Sequence, residues 1–137
     1  MLAVVKNKFM SLYYHKVQRP NPLKPKEEKK WYIGVKSIGR MAEKQVAKEI
    51  AEETTLNPKE AEMAIYQFKK VLTKALLDGK TIQLGELGTF RITVKSKGVE
   101  KEAEVSPAWV KQVKLNFLPS PSLNKSLQEA KFTPVVK

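Results

Sequence analysis

Three stretches carry the residue types from which a phosphate or nucleic-acid site is built. Gly79-Lys80-Thr81 spells the end of a phosphate-gripping loop, but such a loop leaves a strand and enters a helix. Here a helical pattern comes before and strand alternation after, so that chemistry is rejected. Gly85-Glu86-Leu87-Gly88 has the outline of a loop that clamps an RNA backbone between two helices. It lies between two strands instead, and its glycines suit a tight turn with positive φ. The third set is Arg91, Thr93 and Lys95 with Lys114 and Asn116, all at period-two spacing. On strands they fall opposite Phe90, Ile92, Val94, Val113 and Leu115, so one sheet face is apolar and the other offers cations to phosphates. An ordinary wet sheet face is the alternative.

The sequence holds no catalytic constellation. His15 is the single histidine and sits between aromatics on a strand pattern, where a surface or packing role outweighs that of a general base. Glu100, Glu102 and Glu104 would share one face of a strand and could bind a cation, but a solvated acidic edge is the safer reading. There is no cysteine, which excludes disulfides, thiol catalysis and cysteine zinc sites. The expectation is a non-enzyme with no cofactor, no metal and no small-molecule substrate.

Charge points to a polyanionic partner. The 137 residues carry 26 Lys and Arg against 14 Asp and Glu, a net charge of +12. The excess is uneven: ten basic and two acidic residues lie in 1–40, sixteen basic and twelve acidic in 41–137. The run Leu2-Ala3-Val4-Val5 is too short for a leader core, and no stretch approaches a membrane span. A soluble, intracellular protein with no membrane partner is expected. Met10 is an alternative start, with residues 1–9 an upstream extension.

The elements that position these residues follow from periodicity. Residues 11–17 and 31–35 read as strands around a basic linker, whose Pro20, Pro22 and Pro25 favour an extended, exposed chain. Ala42, Val46, Ala47, Ile50 and Ala51 predict a helix over about 41–53. Asn57 as cap, Pro58 at the first position and Glu60 at the third start a second helix of about twenty residues, ended by Asp78-Gly79. Three antiparallel strands follow, around Ile82–Leu84, Phe90–Val94 and Val113–Phe117. Residues 96–110 are too long for a tight hairpin and too charged for a core, and should project as an arm or mobile loop. A short helix over 123–130, capped by Ser122, comes last. The fold class is therefore α+β: a two-helix base on a three-stranded antiparallel sheet with a projecting β-arm. A basic N-terminal extension, 1–37, precedes the main domain, 38–137.

Several of these residues match one family. Val46–Glu52, Leu56-Asn57-Pro58-Lys59, the long helix, Asp78-Gly79-Lys80 and above all Leu84-Gly85-Glu86-Leu87-Gly88-Thr89-Phe90 resemble the HU/IHF family of bacterial histone-like proteins. Pro121 and Asn124-Lys125-Ser126-Leu127 resemble the start of its last helix, and the match covers about residues 40–130. The N-terminal segment looks like the extension of a longer HU-like subgroup. The resemblance implies a cytoplasmic, nucleoid-associated, intertwined homodimer that binds double-stranded DNA on a saddle of sheets flanked by two β-arms. Arg91, Lys95, Lys97, Lys111 and Lys114 would then lie on the saddle or arm bases, and Lys125 near the N-terminus of the last helix. The family's Arg-Asn-Pro arm tip, whose proline wedges between base pairs, has no counterpart. Pro107 and Trp109 are the arm's candidates for insertion, and Glu100, Glu102 and Glu104 oppose phosphate.

The leading expectation is weakly sequence-specific, architectural duplex binding. A helix-turn-helix regulator is the first alternative, since residues 42–68 have that outline, but Glu60 and Glu62 dominate the start of its second helix. An HU-like interaction module that no longer bends DNA is the second.

Overall fold

A computed structural model describes residues 10–135. The readings of Leu2–Val5 and of residues 1–9 lie outside the described residues. The elements in chain order are β1 (Leu12–Arg19), β2 (Lys30–Lys36), α1 (Glu43–Glu53), α2 (Pro58–Leu77), β3 (Ile82–Gln83), β4 (Gly88–Ser96), β5 (Val110–Pro119), α3 (Pro121–Gln128) and β6 (Phe132–Pro134). They fall into two compact units, Ala42–Lys125 and a second made of the described residues up to Met41 and from Ser126 on.

In the central unit the predicted start of α2 is realised in full. The Asn57 side chain accepts from the Glu60 amide at 2.8 Å, and the Glu60 carboxylate accepts from the Asn57 amide at 3.3 Å. Its end is a paired closure: Gly79 donates to the Leu76 carbonyl and Lys80 to that of Ala75, with Gly79 at φ +80°. Helix α1 packs on α2, with Ala47 and Ala61 fully buried, so the apolar stripes of both helices meet through small side chains. The Glu43–Lys69 ion pair, 3.0 Å, also joins them. Both ends are half-exposed, so it contributes at most about 1 kcal/mol.

Chain reversal after β3 depends on Gly85 and Gly88, at φ +50° and +147°. Leu87 donates to the Leu84 carbonyl and Leu84 to that of Gly88, each at 2.9 Å, which closes the turn. A Cβ on Gly88 would run into the Leu118 carbonyl oxygen and the Phe117 ring, so this position requires glycine for space as well as for backbone angle. Strand order is β3-β4-β5, all antiparallel, as period-two spacing predicts.

Three expectations need correction here. Residues 97–109 do not extend as a β-arm. They fold into two single 3₁₀ turns, Glu102–Glu104 and Pro107–Trp109, so the three glutamates do not line one face of a strand. A proline at 107 withdraws a ladder donor, and the Ser106 hydroxyl caps the turn by accepting from the Ala108 amide at 3.2 Å. The last helix begins at Pro121 and ends at Gln128, and its cap is Ser120, not Ser122. Ser120 Oγ accepts from Leu123 N at 3.0 Å and donates to the Glu86 carbonyl. Lastly, the proline-rich linker is not extended: Asn21 accepts from Leu23 and Lys24, and Lys24 from Glu27, which gives consecutive turns.

The other unit is a three-stranded sheet in the order β2-β1-β6. Strands β1 and β2 form an antiparallel hairpin around those turns. Strand β6 runs parallel to β1, held by Leu12 N to the Lys131 carbonyl at 2.8 Å and Val135 N to that of Tyr14 at 3.0 Å. The chain beyond α3 thus pairs with the N-terminal strands, a pairing that no local pattern announces. It also sets the end of the chain apart from the main domain drawn as 38–137.

Candidate nucleic-acid interface

The candidate site is the ladder between β4 and β5. Its register pairs Phe90 with Phe117, Ile92 with Leu115 and Val94 with Val113 on one face. On the other it pairs Arg91 with Asn116, Thr93 with Lys114 and Lys95 with Gln112. Every cation on this face therefore stands opposite a neutral polar side chain, and no two cations oppose each other across the ladder. Asn116 Nδ2 donates to Thr93 Oγ1 at 3.1 Å, which ties the two strands between Arg91 and Lys114. None of Arg91, Lys95 and Lys114 has an ion pair among the described residues. No carboxylate among the described residues neutralises their charge.

The opposite face supplies the rigidity. The Phe90 and Phe117 rings lie 4.8 Å apart at 34°, a tilted pair that anchors the end of the ladder nearest the Gly88 turn. Leu76 and Leu77 at the end of α2 border one hollow with Ile92, Val113 and Leu115, and Lys114 borders it too. The helix covers little of the sheet beyond this. Val113 is 58% and Leu115 55% exposed, and Met63, Tyr66, Val71 and Leu77 of α2 are exposed as well. Only Ala47, Ala61 and Leu76 are buried apolar residues among those described.

The remaining expected residues are placed less uniformly. The register shifts between Lys95 and Ser96, and Lys111 is the extra residue of the resulting β-bulge, at the base of the arm with no residue opposite it. Lys97 lies 4.7 Å above the Trp109 ring centroid and donates its amide to the Trp109 carbonyl at 2.9 Å. The Trp109 indole N–H donates to the Glu104 carbonyl at 3.0 Å. Trp109 is thus held within the arm by both its ring face and its N–H, an arrangement unlike that of a free wedge. Pro107 is exposed on the 3₁₀ turn beside it. Lys125 lies in the last turn of α3, not near its N-terminus. It complements the negative end of that helix and is displaced from the amide end where the resemblance put it.

Two features of this face escaped the sequence reading. Gln112 opposite Lys95 belongs to it by the same parity as Lys114 and was legible. The bulge at Lys111 was not, because one inserted residue leaves no mark in a run of alternating types.

Among the described residues no helix is long and apolar enough to cross a membrane, and no group of His, Asp or Glu is placed to hold a metal ion.

Comparisons with known proteins agree with this architecture. No curated protein matches the sequence. A crystal structure of "a Putative bacterial DNA binding protein" from Bacteroides vulgatus ATCC 8482 is similar at a TM-score of 0.65 and 10% identity, over 91% of this chain and 48% of that one. This chain thus spans about half the length of that relative, and at such identity the likeness concerns the fold alone. The family model for HU domains fused to a wHTH, Ig or glycine-rich motif matches residues 10–134, so the β1–β2 hairpin lies inside the match along with the helices, the Gly-Thr-Phe turn and the β4–β5 ladder; the chain belongs to this HU-like family.

Proposed function

We propose that the protein is a non-enzymatic, architectural DNA-binding protein that holds duplex DNA with little sequence preference. It does so on the polar face of β4–β5. One observation carries this reading: Arg91, Lys95 and Lys114 share one face, have no ion pairs, and are interleaved with Thr93, Asn116 and Gln112. Cations and neutral hydrogen-bonding groups in that mixture suit phosphate and sugar oxygens, which position a duplex without reading its bases. The family membership supports the same class, as does the name of the similar Bacteroides vulgatus protein.

The working unit is a homodimer. The apolar face of the ladder and the outer stripe of α2 are too exposed for a unit that buries only three apolar residues of its own. A second copy has matching surface to cover both. Two copies of Arg91, Lys95 and Lys114 then offer about six phosphate contacts, which predicts a loss of about 10³-fold in affinity between 50 and 200 mM salt. Fluorescence anisotropy on a labelled random duplex reads this directly. No binding at the lower salt overturns the proposal. Insertion of Trp109 is not part of it, since that ring is held by Lys97 and its N–H by Glu104.

A further inference from the structure

The β1–β2 hairpin carries a second concentration of positive charge, denser than that of the ladder. Residues 12–36 contain seven Lys and Arg against two Glu, and residues 88–119 six against three. The only ion pair of the hairpin is Lys24–Glu27 at 3.2 Å in the turn, so Lys16, Arg19, Lys26, Lys29, Lys30 and Lys36 have none among the described residues. The register makes the excess pointed. Arg19 stands directly opposite Lys30, and Lys36 opposite Tyr13, with His15 and Tyr32 between them on the same face. Like charges directly across a ladder repel, and a hairpin selected for stability alone would place a carboxylate at one of the two positions. Glu27 and Glu28 are in the neighbouring turn and are not on this ladder. From the Arg19–Lys30 pair to the Tyr13–Lys36 pair is six residues along the strand, about 20 Å. That is the length of about six phosphates of one duplex strand.

We infer that the face of the hairpin bearing Arg19, Lys30 and Lys36 is a second phosphate-contacting surface for duplex DNA, separate from the β4–β5 ladder. The self-repulsion of Arg19 and Lys30 is relieved when a phosphate lies between them, and Tyr32 offers a hydroxyl on the same face. This surface adds contacts to whatever the ladder makes, so it steepens the salt dependence without adding base readout.

The test compares the full chain with an Arg19→Gln/Lys30→Gln/Lys36→Gln variant and an Arg91→Gln/Lys95→Gln/Lys114→Gln variant. Duplex affinity is measured across salt. Removing three phosphate contacts per chain, six per dimer, lowers the slope of log affinity against log salt by about 5. The hairpin variant is expected to show that drop independently of the ladder variant. A hairpin variant with the slope and affinity of the parent overturns this inference while leaving the ladder intact; a ladder variant unchanged beside a weakened hairpin variant overturns the ladder reading alone. A parent that binds no duplex overturns both. Lys30→Glu separates binding from folding: it puts a carboxylate opposite Arg19, so the melting temperature should hold or rise while duplex affinity falls. Acetylation of the parent gives a check that needs no variant. Lys30 and Lys36 should be protected by added duplex, and equal labelling with and without it contradicts the assignment.

Discussion

The two sheets of this chain sort their side chains differently. On β4–β5, alternation is clean: Phe90, Ile92, Val94, Val113, Leu115 and Phe117 on one side, Arg91, Lys95 and Lys114 on the other, each cation facing a neutral partner. On β1–β2 the faces are mixed. Lys16 and Gln18 lie among Leu12, Tyr14, Trp31, Ile33 and Val35, while the other side combines Arg19 and Lys30 with Tyr13, Val17 and Tyr32. A clean apolar face is a demand for cover, because its exposed area has nowhere to go in water. A mixed face tolerates water, but a like-charged pair upon it asks for an anion. The first sheet thus argues for a second protein copy on one side and DNA on the other; on the second sheet it is the like-charged Arg19–Lys30 pair that argues for DNA.

That contrast can be broken at several points. The largest effect is expected from Val113→Lys. It places an ammonium in the middle of the apolar face and should weaken self-association by about 3 kcal/mol or more, over 100-fold in dimer dissociation, read by sedimentation equilibrium. The matching change on the mixed sheet, Ile33→Lys, should leave the oligomeric state alone. Gly88→Ala comes next. It forces a side chain onto the Leu118 carbonyl at φ +147° and should cost about 3 kcal/mol in urea unfolding, with loss of the β4–β5 register. Asn57→Ala removes one half of a complete capping box and should cost about 1 kcal/mol of thermal or urea stability without changing duplex affinity per folded molecule. Lys97→Ala is smallest, about 0.5 kcal/mol from the lost contact with the Trp109 ring. Its sharper readout is tryptophan fluorescence, which should shift as the arm loosens.

Much of this was legible because the signals were local. The start of α2 needed only Asn57, Pro58 and Glu60, and its end only Asp78-Gly79. The faces of β4 and β5 followed from parity, since a strand offers just two sides. The pieces that were not legible depend on distant partners. Strand β6 exists because Phe132–Pro134 meets Leu12–Tyr14, more than a hundred residues away, and three residues have no period to read. The arm was misjudged for a related reason. Alternating Glu100, Glu102 and Glu104 suggest a strand, but no facing strand is present to take up their hydrogen bonds, and Pro107 with the Ser106 cap turns the chain instead. Lys125 was placed by analogy with a helix start, and the helix began two residues earlier because Ser120, tied to the Glu86 carbonyl, is the better-positioned cap.

The central claim is that the polar face of β4–β5 meets the phosphates. It is tested most directly by the salt slope of duplex binding for the parent and for Arg91→Gln/Lys95→Gln/Lys114→Gln, with circular dichroism to establish that both are folded. With two copies of three contacts removed, the slope should fall by about 5 per dimer, and affinity at 50 mM salt should drop steeply. A folded triple variant that keeps the parent's slope and affinity would contradict the account.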